Sequence, residues 1–145
     1  IPCDLNDTTW FERIDASGGA VFFAAGVFYY FLKDQVRSLV SAMAAAFPGG
    51  VLVFDAANEK AVRLMLKTWI RDAKIKDVGA YFAVADAKAE LGPWDSRLQI
   101  SSRGYMLGYH DLIDPSVSGF FRFLARVGDG MMNMQIVKIG FGKAV

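Results

Sequence analysis

Few residues in this chain could do chemistry, and most of them are acidic or aromatic. Asp55 closes the apolar run Val51-Leu52-Val53-Phe54. That places a carboxylate at the carboxyl end of a buried strand, where open parallel sheets collect ligands. Asp4 and the segment Ala25–Tyr30 qualify by the same position. Asp55 could equally cap the helix that follows it. Tyr29 and Tyr30 could offer rings or hydroxyls to a ligand, though adjacent aromatics more often fill a core. His110 is the single histidine, so any Ser/His/Asp arrangement depends on it alone. Its acidic neighbour Asp111 is adjacent in sequence, not across a cleft, and a hydrogen-bonded loop histidine is the plainer reading. One cysteine, Cys3, and one histidine cannot fill a zinc site, so no metal is expected. No Gly-x-Gly-x-x-Gly stands between a strand and a helix, and neither a P-loop nor a Gly-x-Ser-x-Gly elbow occurs. Gly49-Gly50 precedes a strand, and Gly128-Asp129-Gly130 follows a helix pattern.

The elements that must position these residues begin with a crossover unit over Ala20–Asp55. Ala20–Leu32 is a near-continuous apolar run, which suits a strand over Ala20–Tyr30 covered on both faces. Val36, Leu39, Val40, Met43, Ala44 and Phe47 recur at helical spacing over Lys33–Phe47. Pro48-Gly49-Gly50 stops that helix, and Val51–Phe54 is the next strand. Strand, helix, strand with short joints predicts a parallel sheet. Upstream, Asn6, Asp7 or Thr8 caps a short helix over Thr9–Ile14.

Downstream, Asn58 caps a helix with the apolar stripe Val62, Met65, Leu66, Trp69 and Ala73. Lys74–Ala80 is loop-like, and Tyr81–Val84 is apolar without a clear type. Asp86 caps a short helix over Ala87–Leu91, ended by Gly92-Pro93. Arg97–Ser102 alternates as a half-exposed strand. Arg103–Ile113 is irregular and carries Tyr105, Tyr109 and His110. Asp114-Pro115 predicts a helix to about Val127, burying Val117, Phe120, Phe121, Leu124 and Val127. Gly128-Asp129-Gly130 turns the chain into a last strand, Met132–Phe141, expected to pair antiparallel.

At 145 residues the chain is one domain by length, 1–145, with no repeat and no internal linker. Its mean hydropathy of +0.28 is high for a free-standing domain and predicts surface that something else covers. A membrane span is not expected, since the run 20–32 falls short of the roughly 18 residues needed. No secretory signal pattern is visible. A net charge of +1 with scattered Lys and Arg argues against nucleic acid. The lone cysteine points to a reducing, cytoplasmic setting. The opening Ile1-Pro2, in place of Met, reads as a piece whose N-terminal part lies elsewhere.

Three motifs together carry a resemblance. They are Cys3-Asp4-Leu5-Asn6-Asp7 with Trp10 just after, Ala25-Gly26-Val27-Phe28-Tyr29-Tyr30 before a long helix, and Phe47-Pro48-Gly49 before Val51–Asp55. This resembles the S-adenosylmethionine-dependent methyltransferases of the leucine carboxyl methyltransferase group, and more closely the tetracenomycin-type polyketide O-methyltransferases. The resemblance implies an α/β fold, Rossmann-like and three-layered (α/β/α). The chain would be the C-terminal half of that class I sheet, mostly parallel with an antiparallel last strand. The half with the glycine-rich cofactor loop would be absent. It also implies that Asp4 and Leu5 lie against the cofactor's adenine, and that Ala25 and Gly26 lie near its methionine portion. The family's Glu stands where this chain has Ala25. Tyr29, Tyr30, Tyr105 and His110 would line the side of a small-molecule methyl acceptor. Methyl transfer to oxygen needs mainly positioning and exclusion of water.

Two readings of function follow. The first is the C-terminal part of an O-methyltransferase for a polyketide-like or carboxylate acceptor, with S-adenosylmethionine as cofactor and little activity in this half alone. The second is a Rossmann-like domain whose cofactor site has decayed and which acts through protein association. A flavodoxin-like ligand-binding domain is a third, unsupported by any phosphate loop. The missing strands would also leave the Ala20–Tyr30 strand as a bare edge, so self-association is expected.

Overall fold

The computed structural model describes residues 3–65, 67–68, 79–105 and 114–142. Among the described residues four strands form one sheet in the order β1-β2-β4-β3: β1 Val21–Ala24, β2 Val51–Ala56, β3 Leu98–Gly104 and β4 Gln135–Phe141. β1 and β2 pair parallel, and β4 runs antiparallel to both β2 and β3. The fold is therefore mixed α/β, with β1, β2 and β3 pointing one way and the last strand inserted between β2 and β3 in reverse. The parallel crossover and the antiparallel final pairing are both as the sequence predicts.

Helix α1, Lys33–Ala46, buries Val36, Leu39, Val40, Met43 and Ala44, the stripe read from the sequence. Its first turn is held by Gln35, whose Oε1 accepts from the Leu32 amide at 2.8 Å. After Phe47 the chain reverses through Gly49 at φ +84°. Gly50 sits so tightly that a Cβ there would lie 2.9 Å from the Phe47 carbonyl oxygen. These two glycines let β2 start beside the end of α1. Phe22, Phe47 and Phe11 stack in sequence with Trp10, which ties the capped 3-10 turn Thr8–Arg13 to the same core.

One sheet face is sealed. Leu52, Phe54, Ala56, Val137, Ile139 and Phe141 are buried there against α1, together with Phe82, Val84 and Leu91 of the segment leading through α3, Ala87–Leu91. Asp86 caps α3 as expected, its Oδ1 accepting from the Ala89 amide at 2.9 Å. Glu90 then joins α3 to α1: its carboxylate accepts from Lys33 Nζ at 2.6 Å and from the Ala85 amide at 2.8 Å. Burial would raise the Glu90 pKa, but the Lys33 ammonium and the Ala85 and Asp86 amides outweigh it and hold the group below its usual value. The opposite sheet face is less covered. Val51, Val53 and Ile136 are half-buried, while Val21, Phe23, Ser101 and Lys138 are exposed.

Several expectations are corrected. The Ala20–Tyr30 run is not one strand covered on both sides. β1 ends at Ala24, and the chain turns through Gly26 at φ +65° into the 3-10 turn Phe28–Tyr30. On β1 only Phe22 and Ala24 face the core, and Phe23 is 77% exposed. α4 starts not at Asp114-Pro115 but at Gly119, capped by Ser118, whose hydroxyl accepts from the Phe121 amide at 3.2 Å. Asp114 instead closes its own turn, accepting from the Ser116 amide at 2.8 Å. The helix then runs through Gly128-Asp129-Gly130 to Met132 and stops at Asn133, which takes the left-handed conformation at φ 44°. The glycines weaken a helix by about 1 kcal/mol each. Contacts at its end outweigh that: the Asn58 side chain donates to the Met131 carbonyl at 3.1 Å, and the Asn58 amide donates to that of Met132 at 3.1 Å. The last strand begins at Gln135, not Met132. The predicted burial of α4's apolar residues also fails: only Ala125 is buried on it. The predicted stripe residues Leu66, Trp69 and Ala73, and Tyr109 and His110, lie outside the described residues.

Candidate functional site

Strand direction decides where a ligand can sit. The register pairs Ala24 with Phe54, Ala56 with Gln135 and Gly104 with Gln135. The carboxyl ends of β1, β2 and β3 and the amino end of β4 thus share one edge of the sheet. A cavity of about 290 Å³ opens at that edge. Each strand end contributes to it: Gly26, Tyr29 and Tyr30 after β1, Asp55 and Ala57 at the end of β2, Tyr105 after β3, and Met132 and Met134 before β4. Helix α2, Glu59–Met65, roofs it with Ala61, Val62, Leu64 and Met65, and Thr68 completes the wall. Asn58 aims α2, its Oδ1 accepting from the Ala61 amide at 3.0 Å, as the sequence predicts for a cap.

Asp55 is the only carboxylate among the described residues that line this cavity. It does not cap α2. Its Oδ1 accepts from the Gly26 amide at 2.6 Å, which pins the turn after β1 to the tip of β2. Its second partner is the buried Tyr29 hydroxyl. Burial, then the nearby Asp55 charge, push the Tyr29 pKa far above the usual phenol value. Tyr29 therefore stays protonated across the working pH range and donates to Asp55; it is neither base nor nucleophile. The Tyr29 carbonyl accepts from the Tyr81 amide at 2.7 Å, so the Tyr81–Val84 stretch, untyped from sequence, braces this tyrosine from behind.

The arrangement is an apolar pocket with aromatic and thioether walls and one anchored carboxylate. Asp55 can accept a hydrogen bond or a proton from a ligand hydroxyl, or face a cation. The three tyrosine rings and the soft methionine sulfurs suit a flat or polarisable ligand. At about 290 Å³ the space is near the lower limit for small-molecule pockets, about 300 Å³. It fits one small molecule or one end of a larger one.

The sequence-predicted residues divide. Gly26, Tyr29, Tyr30, Asp55 and Tyr105 come together at the cavity. Asp4, Leu5 and Ala25 do not line it. Asp4 is exposed and its Oδ1 accepts from both the amide and the side chain of Asn6, at 2.9 and 3.0 Å. Leu5 packs against the main core, and Ala25 is exposed. His110 lies outside the described residues. Sequence reasoning missed Met132 and Met134, which it placed in the last strand, and Ala61 and Thr68. Met65 was read as core stripe. Only the strand-end rule that flagged Asp55 could have found the methionines, once the last strand was known to start at Gln135.

A wider groove, about 910 Å³, runs between α2 and α3 past Lys33, Asn58, Lys60 and Glu90. Four of its charged residues pair within the chain, Lys33 with Glu90 and Arg63 with Glu59. No group of three or more potential metal ligands occurs among the described residues. No described helix is long and apolar enough to cross a membrane.

No family model matches this chain, and no curated protein does. Among solved structures it is similar to a candidate methyltransferase from Thermobifida fusca YX, with a TM-score of 0.59 and 18% sequence identity. The match covers 98% of this chain and 53% of that one, so the chain spans about half the length of the protein it resembles. At this identity the likeness establishes a shared fold and no more: a mixed α/β arrangement around one sheet.

Proposed function

We propose that this chain is the C-terminal part of an S-adenosylmethionine-dependent O-methyltransferase that acts on a small, largely apolar acceptor. The observation that carries the reading is the cavity at the shared carboxyl edge of β1, β2 and β3, with Asp55 anchored between Gly26 and Tyr29. The reversed last strand of the sheet and the fold shared with the Thermobifida fusca protein support it.

In this reading the cavity holds the acceptor, and the methyl-bearing end of the cofactor meets it at the cavity's mouth beside Gly26. Asp55, Tyr29, Tyr30 and Tyr105 face the acceptor, and Asp55 takes the proton of its hydroxyl. Gly26, whose missing side chain leaves open space, lets the cofactor's methionine end approach the tip of β1. Ala25 brings no charge there, and Asp55, which accepts from the Gly26 amide, can serve as the counter-ion instead. Asp4 and Leu5 receive the adenine. The cofactor supplies the sulfonium methyl group, and the chain's own residues orient the acceptor and exclude water. Class I methyltransferase architecture with helices on both sheet faces belongs to the same proposal, as does a cytoplasmic setting. The second reading, a decayed cofactor site in an association domain, is favoured by uncharged Ala25 and by the apolar surface of α4.

The test reads the coding sequence just upstream of Ile1 and titrates the longer product with S-adenosylhomocysteine. A strand closed by a glycine-rich turn, with micromolar binding that the 145-residue chain lacks, is the expected result. Micromolar binding by the 145 residues alone, or an upstream segment without such a strand, would overturn the assignment of the cofactor loop to a preceding half. Tight binding lost in Asp55→Asn, with the fold intact, separates the enzyme from the decayed domain.

A further inference from the structure

The roof of the cavity at the carboxyl edge has open space on both flanks. α2 presents Ala61, Leu64 and Met65 to the cavity, and Glu59, Lys60 and Arg63 to the wider groove on its other side. Val62 is the one buried residue on it and borders both spaces. α2 is therefore a bar with about 290 Å³ of open volume on one flank and about 910 Å³ on the other. Close packing does not fix its sideways position.

Asn58 does so instead, and all four of its polar groups are in use. Its Oδ1 accepts from the Ala61 amide, and its carbonyl accepts from the Val62 amide, each at 3.0 Å. Its Nδ2 donates to the Met131 carbonyl, and its amide donates to the Met132 carbonyl, each at 3.1 Å. Among the described residues, the hydrogen bonds that tie the start of α2 to another element run through Asn58.

The other side of this joint is pinned at several points. Met132 and Met134 form the methionine wall of the cavity. The Met134 carbonyl accepts from the Tyr105 amide at 2.9 Å. Gln135 Nε2 donates to the Val84 and Ala85 carbonyls at 3.1 and 3.3 Å, and the Asn133 side chain donates to the Ala85 carbonyl as well. The wall is thus fixed to the strand ends, and Asn58 sets how far the roof stands from it.

We propose that Asn58 is a positioning residue that sets the width of the cavity and so the size of the acceptor it admits. The inference rests on the reading of this cavity as the acceptor site. The Nδ2 bond to the end of α4 holds α2 toward the methionine wall and keeps the cavity near the lower limit for small-molecule pockets, about 300 Å³. Without that donor, α2 has the groove to move into and the cavity widens. The acceptor class selected by the clamp is a single small ring, not a fused or ring-extended one.

The test titrates the methionine-labelled chain with phenol and, separately, with 4-phenylphenol, read on the methyl signals of Met65, Met132 and Met134. Asn58→Asp keeps a capping oxygen and loses the donor, and Asn58→Ser does the same without adding a charge. An unmoved Met43 signal shows that the core under α1 is intact in each variant. In both, the ratio of the two affinities is expected to shift toward 4-phenylphenol by about tenfold, the lower end for a change of fit in an apolar pocket. A merely structural role would loosen α2 and weaken both ligands together, and that result would overturn the proposal. So would loss of the Met43 signal in both variants, which would assign Asn58 to stability alone. An unchanged ratio, or a shift in Asn58→Ser but not in Asn58→Asp, would overturn it and leave the acceptor site standing. A wild type that binds neither ligand would overturn the reading of the cavity as an acceptor site, and the role of Asn58 with it.

Discussion

Helices α1 and α4 have the same length and comparable amphipathic patterns, yet they use them in opposite ways. On α1 the stripe Val36, Leu39, Val40, Met43 and Ala44 is at most 7% exposed. On α4 the stripe Phe120, Phe123, Leu124, Val127 and Met131 is at least 38% exposed. Periodicity names the face of a helix that must be covered. It does not name what covers it. α1 follows a parallel strand and returns to the next one, so the crossover itself lays its stripe on the sheet. α4 joins two antiparallel neighbours, β3 and β4, which could be joined without a helix at all. Nothing in that connection forces its stripe inward.

The contrast can be broken most directly by deletion of side chains. Leu39→Ala should cost about 2–4 kcal/mol, through lost burial and a cavity under α1. Phe120→Ala should change the unfolding free energy of the monomer by less than about 0.5 kcal/mol, if measured at protein concentrations too low for association. Chemical denaturation of both variants checks the pair. Equal costs would mean that α4 is packed as firmly as α1.

A smaller effect is expected at the cavity, which α4 reaches only through Met132. Asp55→Ala leaves the Gly26 amide and the buried Tyr29 hydroxyl without their acceptor, which should cost about 1–3 kcal/mol. It should also bring the Tyr29 pKa down toward the usual phenol range, as the Asp55 charge is one of the causes that raise it. Ultraviolet titration of the tyrosines at alkaline pH reads this change.

Acid sharpens the comparison on the firm side. Asp95 accepts from the Arg97 guanidinium at 2.9 and 2.5 Å, just ahead of β3. That pair holds the Asp95 pKa at about 2. Because the folded value lies below the unfolded one, the pair stabilises the fold fully above about pH 4. The contribution fades as pH falls from about 4 toward 2, and solvent around the pair keeps it well below the full value of the shift. Asp95→Asn should remove that part of the acid dependence, measured as the change in thermal midpoint between neutral and low pH.

The smallest effect is a gain. Gly130 lies in the helical part of α4, and a Cβ there meets nothing within 4 Å. Gly130→Ala should stabilise by about 0.5–1 kcal/mol, since it removes backbone freedom from the unfolded chain at no packing cost. A loss of stability would mean that the chain does turn at Gly128-Asp129-Gly130, as the sequence alone suggests.

Legibility in the sequence followed the reach of the forces involved. The crossover from β1 through α1 to β2 was readable because its stripe, its stop at Pro48-Gly49-Gly50 and its strands are all local signals. The caps Asp7, Asn58 and Asp86 were readable for the same reason. The end of β1 was not. It depends on Gly26 meeting Asp55, 29 residues away. The end of α4 was misread because Asn58, 73 residues from Met131, holds the helix past its glycines. In the site, Asp55, Tyr29 and Tyr30 were named from strand ends, and Tyr105 only through the resemblance. Met132 and Met134 were not, because the expected last strand starts at Met132, whereas the left-handed Asn133 delays β4 to Gln135 and leaves both methionines at the strand's amino end.

Methionine methyl groups report most directly on the central claim that a ligand enters at the carboxyl edge of the sheet. Met65, Met132 and Met134 line the cavity there, and Met43 lies under α1 in the sealed core. A carbon-13 methyl spectrum of the methionine-labelled chain, followed during titration with a small neutral phenol, should move the first three signals together and leave Met43 in place. Saturating phenol that leaves those three signals still, or that moves Met43 instead, would contradict the account.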